Sequence, residues 1–421
     1  MTAASPSDEL ATLGAEVRAW VTENWDPDVG LLEWRTRLAD AGWACPDWPR
    51  EWCGRGLPRD AAELVRRELG AADVAGLPDG VGMRLVAPTI LEHGDQGVKE
   101  RFVRRTVTGV LSWCQLFSEP SAGSDLAGLT TRARLDGDEW VVSGQKVWTT
   151  SAHHADMGLL LARSDWDVPK HQGITCFALP MRQPGVEVRP LRQMNGHASF
   201  NEVFFDEARI PADHVIGEVH GGWKVALTTL AYERRVAPRT ILPLDAEVHG
   251  RARLEAAEET RVASEPYRWY PQRAGRVDLV VPRARQTGRG ADPLVRQSVA
   301  RVRALDLVAG LTHQRAAEAR ALGRPPGPEG SIGKLASSEV AREAARVHTL
   351  ITGAPLMLAG DNAPLGGTIT EIVVSVPAAS IAGGTDEIQR NIIGERVLGL
   401  AHEPDDTRGV SFRDVPTSMP R

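Results

Sequence analysis

From about Asp8 to Leu111 the apolar positions recur at helical spacing, as in Leu31, Leu32, Trp34 and Leu38 and again in Leu64, Val65 and Leu69, so this stretch reads as helices. Pro46, Pro49, Gly54, Pro58 and Gly76 cut it into short and medium pieces, and the Trp- and Pro-rich stretch 42–56 is a structured loop by composition. At Trp113 the period changes. Residues 132–150 alternate around an Asp136-Gly137 turn and then a Ser143-Gly144 turn, and strand-like runs follow at 158–162, 174–179, 186–188 and 202–205. From Gly221 onward helices return. The clearest has Asp292 as N-cap and Pro293 at its first position, carries Val295, Val299, Val302 and Leu305 on one face, and stops near Gly323. A Pro/Gly-rich link over 324–330 leads to a further helical run, and a polar tail follows His402.

The pattern therefore predicts an α+β chain. It has an N-terminal α-helical domain over 1–112, a middle antiparallel β domain over 113–219, a C-terminal α-helical bundle over 220–400 and a flexible tail over 401–421. Within the bundle, residues 255–291 form a long insertion holding two of the three tyrosines, read as a packed loop, with a lid or an oligomer contact as alternatives.

Composition narrows the function. At 421 residues the chain can bury a large site, and a net charge of −6 with interspersed acids and bases argues against a nucleic-acid surface. Cys45, Cys53, Cys114 and Cys176 make neither a CxxC pair nor a disulfide framework, so reduced thiols in a cytoplasmic setting are expected and a metal site is not. The opening MTAASPSDEL lacks a basic and an apolar targeting region, and no later stretch reads as long enough to span a bilayer.

The most informative segment is Gln115-Leu116-Phe117-Ser118-Glu119-Pro120-Ser121-Ala122-Gly123-Ser124-Asp125, where a strand runs into a turn of small residues whose backbone N–H groups can approach a ligand such as a pyrophosphate. An ordinary strand exit with a cap at Ser124 or Asp125 would look the same. Downstream lie Gly144-Gln145-Lys146-Val147-Trp148-Thr149-Thr150, then residues 203–211, and then Gly383-Gly384-Thr385-Asp386-Glu387-Ile388-Gln389-Arg390, where Thr385 can cap a helix.

In that order these four segments resemble the acyl-CoA dehydrogenase family, over about 34–400. The resemblance implies FAD as cofactor, held by Gln115, Phe117, Ser118, Gly123 and Ser124, by Trp148 beside the ring and Thr150 at its polar edge, and by Thr385 and Glu387. It implies an acyl-CoA or acyl-carrier thioester contacted by Ser124, Arg234 and Gly384. An electron-transfer flavoprotein would be the acceptor, and the assembly a homo- or hetero-oligomer, dimeric or tetrameric. In the family a base removes the α-proton while the β-hydrogen leaves as hydride to flavin N5.

One position departs from that pattern. Where many relatives keep the catalytic glutamate stands Gly383, which can offer a backbone N–H but no carboxylate. Some branches carry the base on the first long C-terminal helix, in a segment resembling Ala231-Tyr232-Glu233-Arg234-Arg235, which makes Glu233 the alternative base; a surface acid paired with Arg235 or Lys224 is the plain alternative. The family's Arg-x-x-Phe-Gly segment, which reaches a neighbouring subunit's flavin, is matched poorly by Arg285-Gln286-Thr287-Gly288. Three functions follow: an α,β-dehydrogenase, a flavin monooxygenase on the same scaffold, or a non-catalytic partner subunit of an active homologue.

Overall fold

The computed structural model describes residues 6–233, 249–322, 327, 330–358 and 360–416. The chain divides into two compact units: Met1–Leu191 with Ser199–Pro266 and Gly409–Arg421, and Arg192–Ala198 with Tyr267–Arg408.

The first unit begins with five helices, α1 (Pro6–Asn24), α2 (Leu31–Asp40), α3 (Arg59–Ala71), α4 (Ala87–His93) and α5 (Gln96–Val107). Their apolar stripes meet around Trp34, which is fully buried, packs against Trp20 and Trp25, and donates its indole N–H to the Ala75 carbonyl at 2.7 Å.

A seven-stranded sheet follows: β1 (Trp113–Leu116), β2 (Arg132–Asp136), β3 (Glu139–Thr150), β4 (Met157–Arg163), β5 (Ile174–Pro180), β6 (Val186–Leu191) and β7 (Phe200–Pro211). The path runs β1-β4-β2-β3-β7-β6, with β5 paired to β4. Pairs are antiparallel except β1 with β4 and the single pair joining β2 to β4. Every residue of β4 is buried, which is why it reads as an unbroken apolar run. The two-residue loop Gly137-Asp138 joins β2 to β3, with Asp136 opposite Glu139.

The expected second turn at Ser143-Gly144 is corrected: β3 continues through it, and the register against β7 shifts between Val142 and Gly144. This is a bulge. A Cβ on Gly144 would lie 2.7 Å from Thr131 Cα, so the glycine permits a close backbone approach rather than a reversal.

Two more helices complete the unit, α6 (Gly222–Glu233) and α7 (Arg251–Ser264). A Cβ at Gly222 would fall 2.6 Å from the Thr175 carbonyl carbon, so glycine lets α6 start hard against β5. On α7, Glu255 accepts the Leu31 N–H at 2.7 Å at the start of α2, and Glu259 grips the buried Arg35 at 2.6 and 3.1 Å.

The second unit holds α8 (Tyr270–Arg273), α9 (Val277–Gln286), α10 (Pro293–Ala321), α11 (Gly330–Thr352), α12 (Thr368–Ser375), α13 (Pro377–Ile381) and α14 (Asp386–Ile392). As the sequence predicts, Asp292 accepts the Leu294 N–H at 2.9 Å at the start of α10, which ends at Ala321. Residues 255–291, read as a packed loop, are largely helical, because Val280 and Ala284 recur at helical spacing in a core with Val295, Val302, Val347 and Ile351.

Two other expectations change. Within Pro364–Val397 an 18-residue window has mean hydropathy 1.5, long and apolar enough to cross a membrane by length and composition, although none was expected. The structure breaks the run at Gly383 and Gly384, both at positive φ, and buries in it the Asp386 carboxylate, which pairs with Lys334 and Arg342 of α11. The chain end, expected to be flexible, is docked from Ser411 to Arg413 against 166–169 of the first unit, because Phe412 buries its ring there.

Replacing Glu259 with Ala is expected to cost about 2 kcal/mol by leaving a buried guanidinium short of its charged acceptor. Urea denaturation checks this, and Arg251→Ala at an exposed pair should leave the midpoint nearly unchanged.

Candidate active site

Strand β1 delivers the chain into the 115–125 segment. Leu116 and Phe117 are buried, whereas Gln115 and Ser118 are half-buried. Glu119 and Ala122 exchange two backbone hydrogen bonds, 3.0 and 3.1 Å, closing a tight turn over Pro120-Ser121. Beyond it Gly123 and Ser124 are exposed, and a Cβ at Gly123 would meet nothing within 4 Å. Among the described residues, the N–H groups of Ser121, Gly123, Ser124 and Asp125 meet no protein acceptor. Such a run of open amides suits an anionic group.

What holds that loop was not singled out in the sequence. The Glu119 carboxylate is buried; one oxygen accepts the Thr130 N–H (2.7 Å) and hydroxyl (2.9 Å), and the other accepts the Thr131 N–H (2.9 Å) and the Lys146 ammonium (2.8 Å). Lys146, fully buried, also donates to the Phe117 carbonyl at 2.9 Å, and the Val147 N–H donates to the Ser118 carbonyl at 2.9 Å. The two expected flavin segments are thus stitched together by one ion pair. Burial by itself would push the Glu119 carboxyl up, but the Lys146 charge and the threonine donors hold it down at about 2. A sequence signal existed: Lys146 is the lone charge in the strand-like run 141–150.

Just after Lys146, β3 bulges again, with a register shift before Thr149. Trp148 there has φ +63 and Ser151 has φ +56, left-handed values that are strained for such side chains. Trp148 stays 56% exposed, its ring edge-on to Phe200 at 5.8 Å. Thr150 is half-buried opposite Phe200, and the buried Thr149 hydroxyl meets no partner among the described residues. An indole held outward at an energetic cost beside an open amide loop is the donor and stacking set an isoalloxazine diphosphate needs. The residues present fit FAD.

On α6 the buried residues are Gly222, Val225, Ala226 and Thr229. Glu233, four residues after Thr229, continues that stripe and is half-buried. The Thr229 hydroxyl meets that of Thr89, and the Tyr232 hydroxyl donates to Glu92, so this face of α6 lies along α4. Arg234 lies outside the described residues.

The remaining expected residues belong to the second unit. Gly383 and Gly384 take φ +70 and +85, and Thr385 caps α14 by accepting the Ile388 N–H at 3.3 Å. The buried Gln389 amide donates to both glycine carbonyls at 3.1 and 3.2 Å, while the Gly383 and Gly384 N–H groups meet no acceptor among the described residues. Glu387 is exposed beside Arg390. Asp386, not given a role in the sequence reading, is buried with Lys334 at 3.0 Å and Arg342; burial pushes its carboxyl up, and these donors bring it down to about 2.

A helical domain, a middle sheet and a helical bundle define an FAD-dependent oxidoreductase. Three family models match: acyl-CoA dehydrogenase N-terminal domain over 7–110, middle domain over 114–208 and C-terminal domain over 274–398. The chain belongs to the acyl-CoA dehydrogenase family. It is 34% identical to the acyl-CoA dehydrogenase IpdE1 of Mycobacterium tuberculosis over 92% of this chain and 97% of that protein. It is 39% identical to FadE34 of the same organism over 93% of this chain but 49% of that protein. Among solved structures, the "Tcur3481-Tcur3483 steroid ACAD" superposes with a TM-score of 0.64 at 27% identity, covering 96% of this chain and 100% of that one. The ChsE4-ChsE5 complex of Mycobacterium tuberculosis gives 0.62 at 25%, covering 96% and 100%.

Both depressed carboxyls predict acid lability. The ordinary values of 4.5 for Glu119 and 3.8 for Asp386 lie above their folded values, so their stabilisation is complete above those pH values and is lost as pH falls towards 2. Urea midpoints should drop over that window. Glu119→Gln should flatten part of the drop and cost about 3–5 kcal/mol at pH 7 by stranding Lys146. Gly383→Ala should cost about 1 kcal/mol from its left-handed φ alone, measured the same way.

Proposed function

We propose that the chain oxidises an acyl-CoA or carrier-bound acyl thioester to the trans-2-enoyl thioester, with Glu233 taking the α-proton. The observation that carries this reading is the continuation of the buried α6 stripe into a carboxylate. Gly383 has no side chain to do that work, so an acid elsewhere must. FAD, when bound, supplies the acceptor at N5 for the β-hydrogen leaving as hydride. Phe117, Trp148 and Thr150 would hold its ring, and the open amides of Gly123 and Ser124, with Gln115 and Ser118, its polar parts; Thr385 and Glu387 are assigned to FAD by the family resemblance. The open N–H groups of Gly383 and Gly384 are suited to polarising a thioester carbonyl, which acidifies the α-carbon, and Ser124 and Arg234 are assigned to the thioester itself.

The steroid acyl-CoA dehydrogenase relative points to a bulky, ring-bearing acyl group as substrate. An electron-transfer flavoprotein in a cytoplasmic setting is the proposed acceptor. The two-component names of the structural relatives favour a second reading, in which this chain is a flavin-site partner in a hetero-oligomer and gains its arginine from the other chain, since Arg285-Gln286-Thr287-Gly288 matches that segment poorly.

Anaerobic titration of the purified flavoprotein with straight, branched and steroid-side-chain CoA thioesters should bleach the flavin with at least one of them. Glu233→Gln should slow bleaching by about 10²–10⁴-fold with flavin retained. Retained flavin that no thioester bleaches would sink the dehydrogenase reading, and flavin that appears only when a homologous chain is co-expressed would favour the partner reading.

A further inference from the structure

The docked chain end makes contacts that reach the open amide loop. Phe412 donates its N–H to the Val168 carbonyl and Arg413 to that of Trp166, each at 2.9 Å, and Ser411 bridges to Pro169. The Phe412 ring is 2% exposed and lies 3.5 Å beneath the Arg163 guanidinium, with Trp166 tilted against it at 5.4 Å. Arg163, fully buried at the end of β4, donates to the carbonyls of Leu129 (3.0 Å), Ala127 (2.7 Å) and Lys170 (3.1 Å). Two of these acceptors sit in or just after the 3₁₀ turn Leu126–Gly128 that follows Ser124-Asp125. The third belongs to the residue whose ammonium binds the Asp125 carboxylate at 3.0 Å.

We propose that residues 409–416 form a brace that sets the loop bearing Ser124 and Asp125, with Phe412 as its positioning residue. Arg163 is the hub. Its three charge-assisted hydrogen bonds hold the loop from its C-terminal side and through Lys170, and they keep their strength only while water is kept from the guanidinium. Phe412 supplies that cover from a segment some 250 residues later in the chain, and Arg413 pins its rim through Asp167 at 3.0 Å. The effect on turnover rests on the proposed use of this loop for the cofactor and thioester. The mechanical effect on the loop does not.

Hydrogen exchange on the full-length protein, as it assembles, separates the two. Phe412→Ala should raise exchange about tenfold in 126–131 as well as 164–173, leaving the 132–142 hairpin unchanged. It should raise KM for the thioester about fivefold with kcat within about twofold, the signature of lost uniform binding. Phe412→Tyr, which keeps a ring under the guanidinium, should restore both. Faster exchange confined to 166–169 and 409–416 with KM unchanged would overturn the proposal and make the segment a passive plug. If Phe412→Ala does not accumulate folded, Lys170→Met tests the last link: faster exchange at 121–126 with raised KM supports the brace, and no change in either overturns it. The exchange result stands even if no thioester bleaches the flavin, so its failure is distinct from failure of the proposed function.

Discussion

The buried pair of Glu119 and Lys146 is the interaction on which the site depends. Two ions taken out of water stabilise a fold only if their remaining valences are filled, and here nearly all are, by Thr130, Thr131 and the Phe117 carbonyl. The consequence is geometric. The pair fixes the loop after β1 against the strand that carries Trp148, so the open amides and the outward indole share one rigid frame. The positive φ values at Trp148 and Ser151 fall beside that frame, between the Val147 N–H bonded to Ser118 and the Ser151 carbonyl bonded by the His154 N–H, with the Thr149 carbonyl accepting the Asn201 amide.

The second unit repeats the principle with different parts. Asp386 is locked by Lys334 and Arg342, and Gln389 holds the carbonyls of two consecutive left-handed glycines, so their N–H groups are presented in a set orientation. In both units, then, an interior acid sacrificed to an ion pair positions backbone donors, and the side chains that do chemistry are few. Gly383 offers a backbone donor and no side chain, so the proposed reaction draws its proton acceptor from elsewhere, and Glu233, half-buried one turn beyond the buried Thr229 on α6, is the group proposed for it.

The α+β order of helices, sheet and helices was legible because the apolar period changes abruptly at Trp113 and again at Gly221, and the caps at Asp292 and Thr385 form as their chemistry requires. Other readings failed for identifiable reasons. Ser143-Gly144 has turn composition, yet the glycine serves a bulge against Thr131, a neighbour no local pattern reveals. The segment 255–291 looked irregular because α7 spends its acids on α2 and its apolar residues are sparse. The tail looked solvated because Phe412 stands almost alone among polar residues.

By itself the sequence determined the periodicities, the order of elements and the residue types able to meet a flavin and a thioester, since these depend on near neighbours along the chain. Only the tertiary structure decided that Glu119 and Lys146 are partners, that Asp386 is locked into an ion-pair cluster, that Glu233 is half-buried one turn beyond Thr229 and that Phe412 covers Arg163. Each of these depends on burial, which turns an ordinary charge or ring into a determinant of shape and which is set by residues far away in the chain.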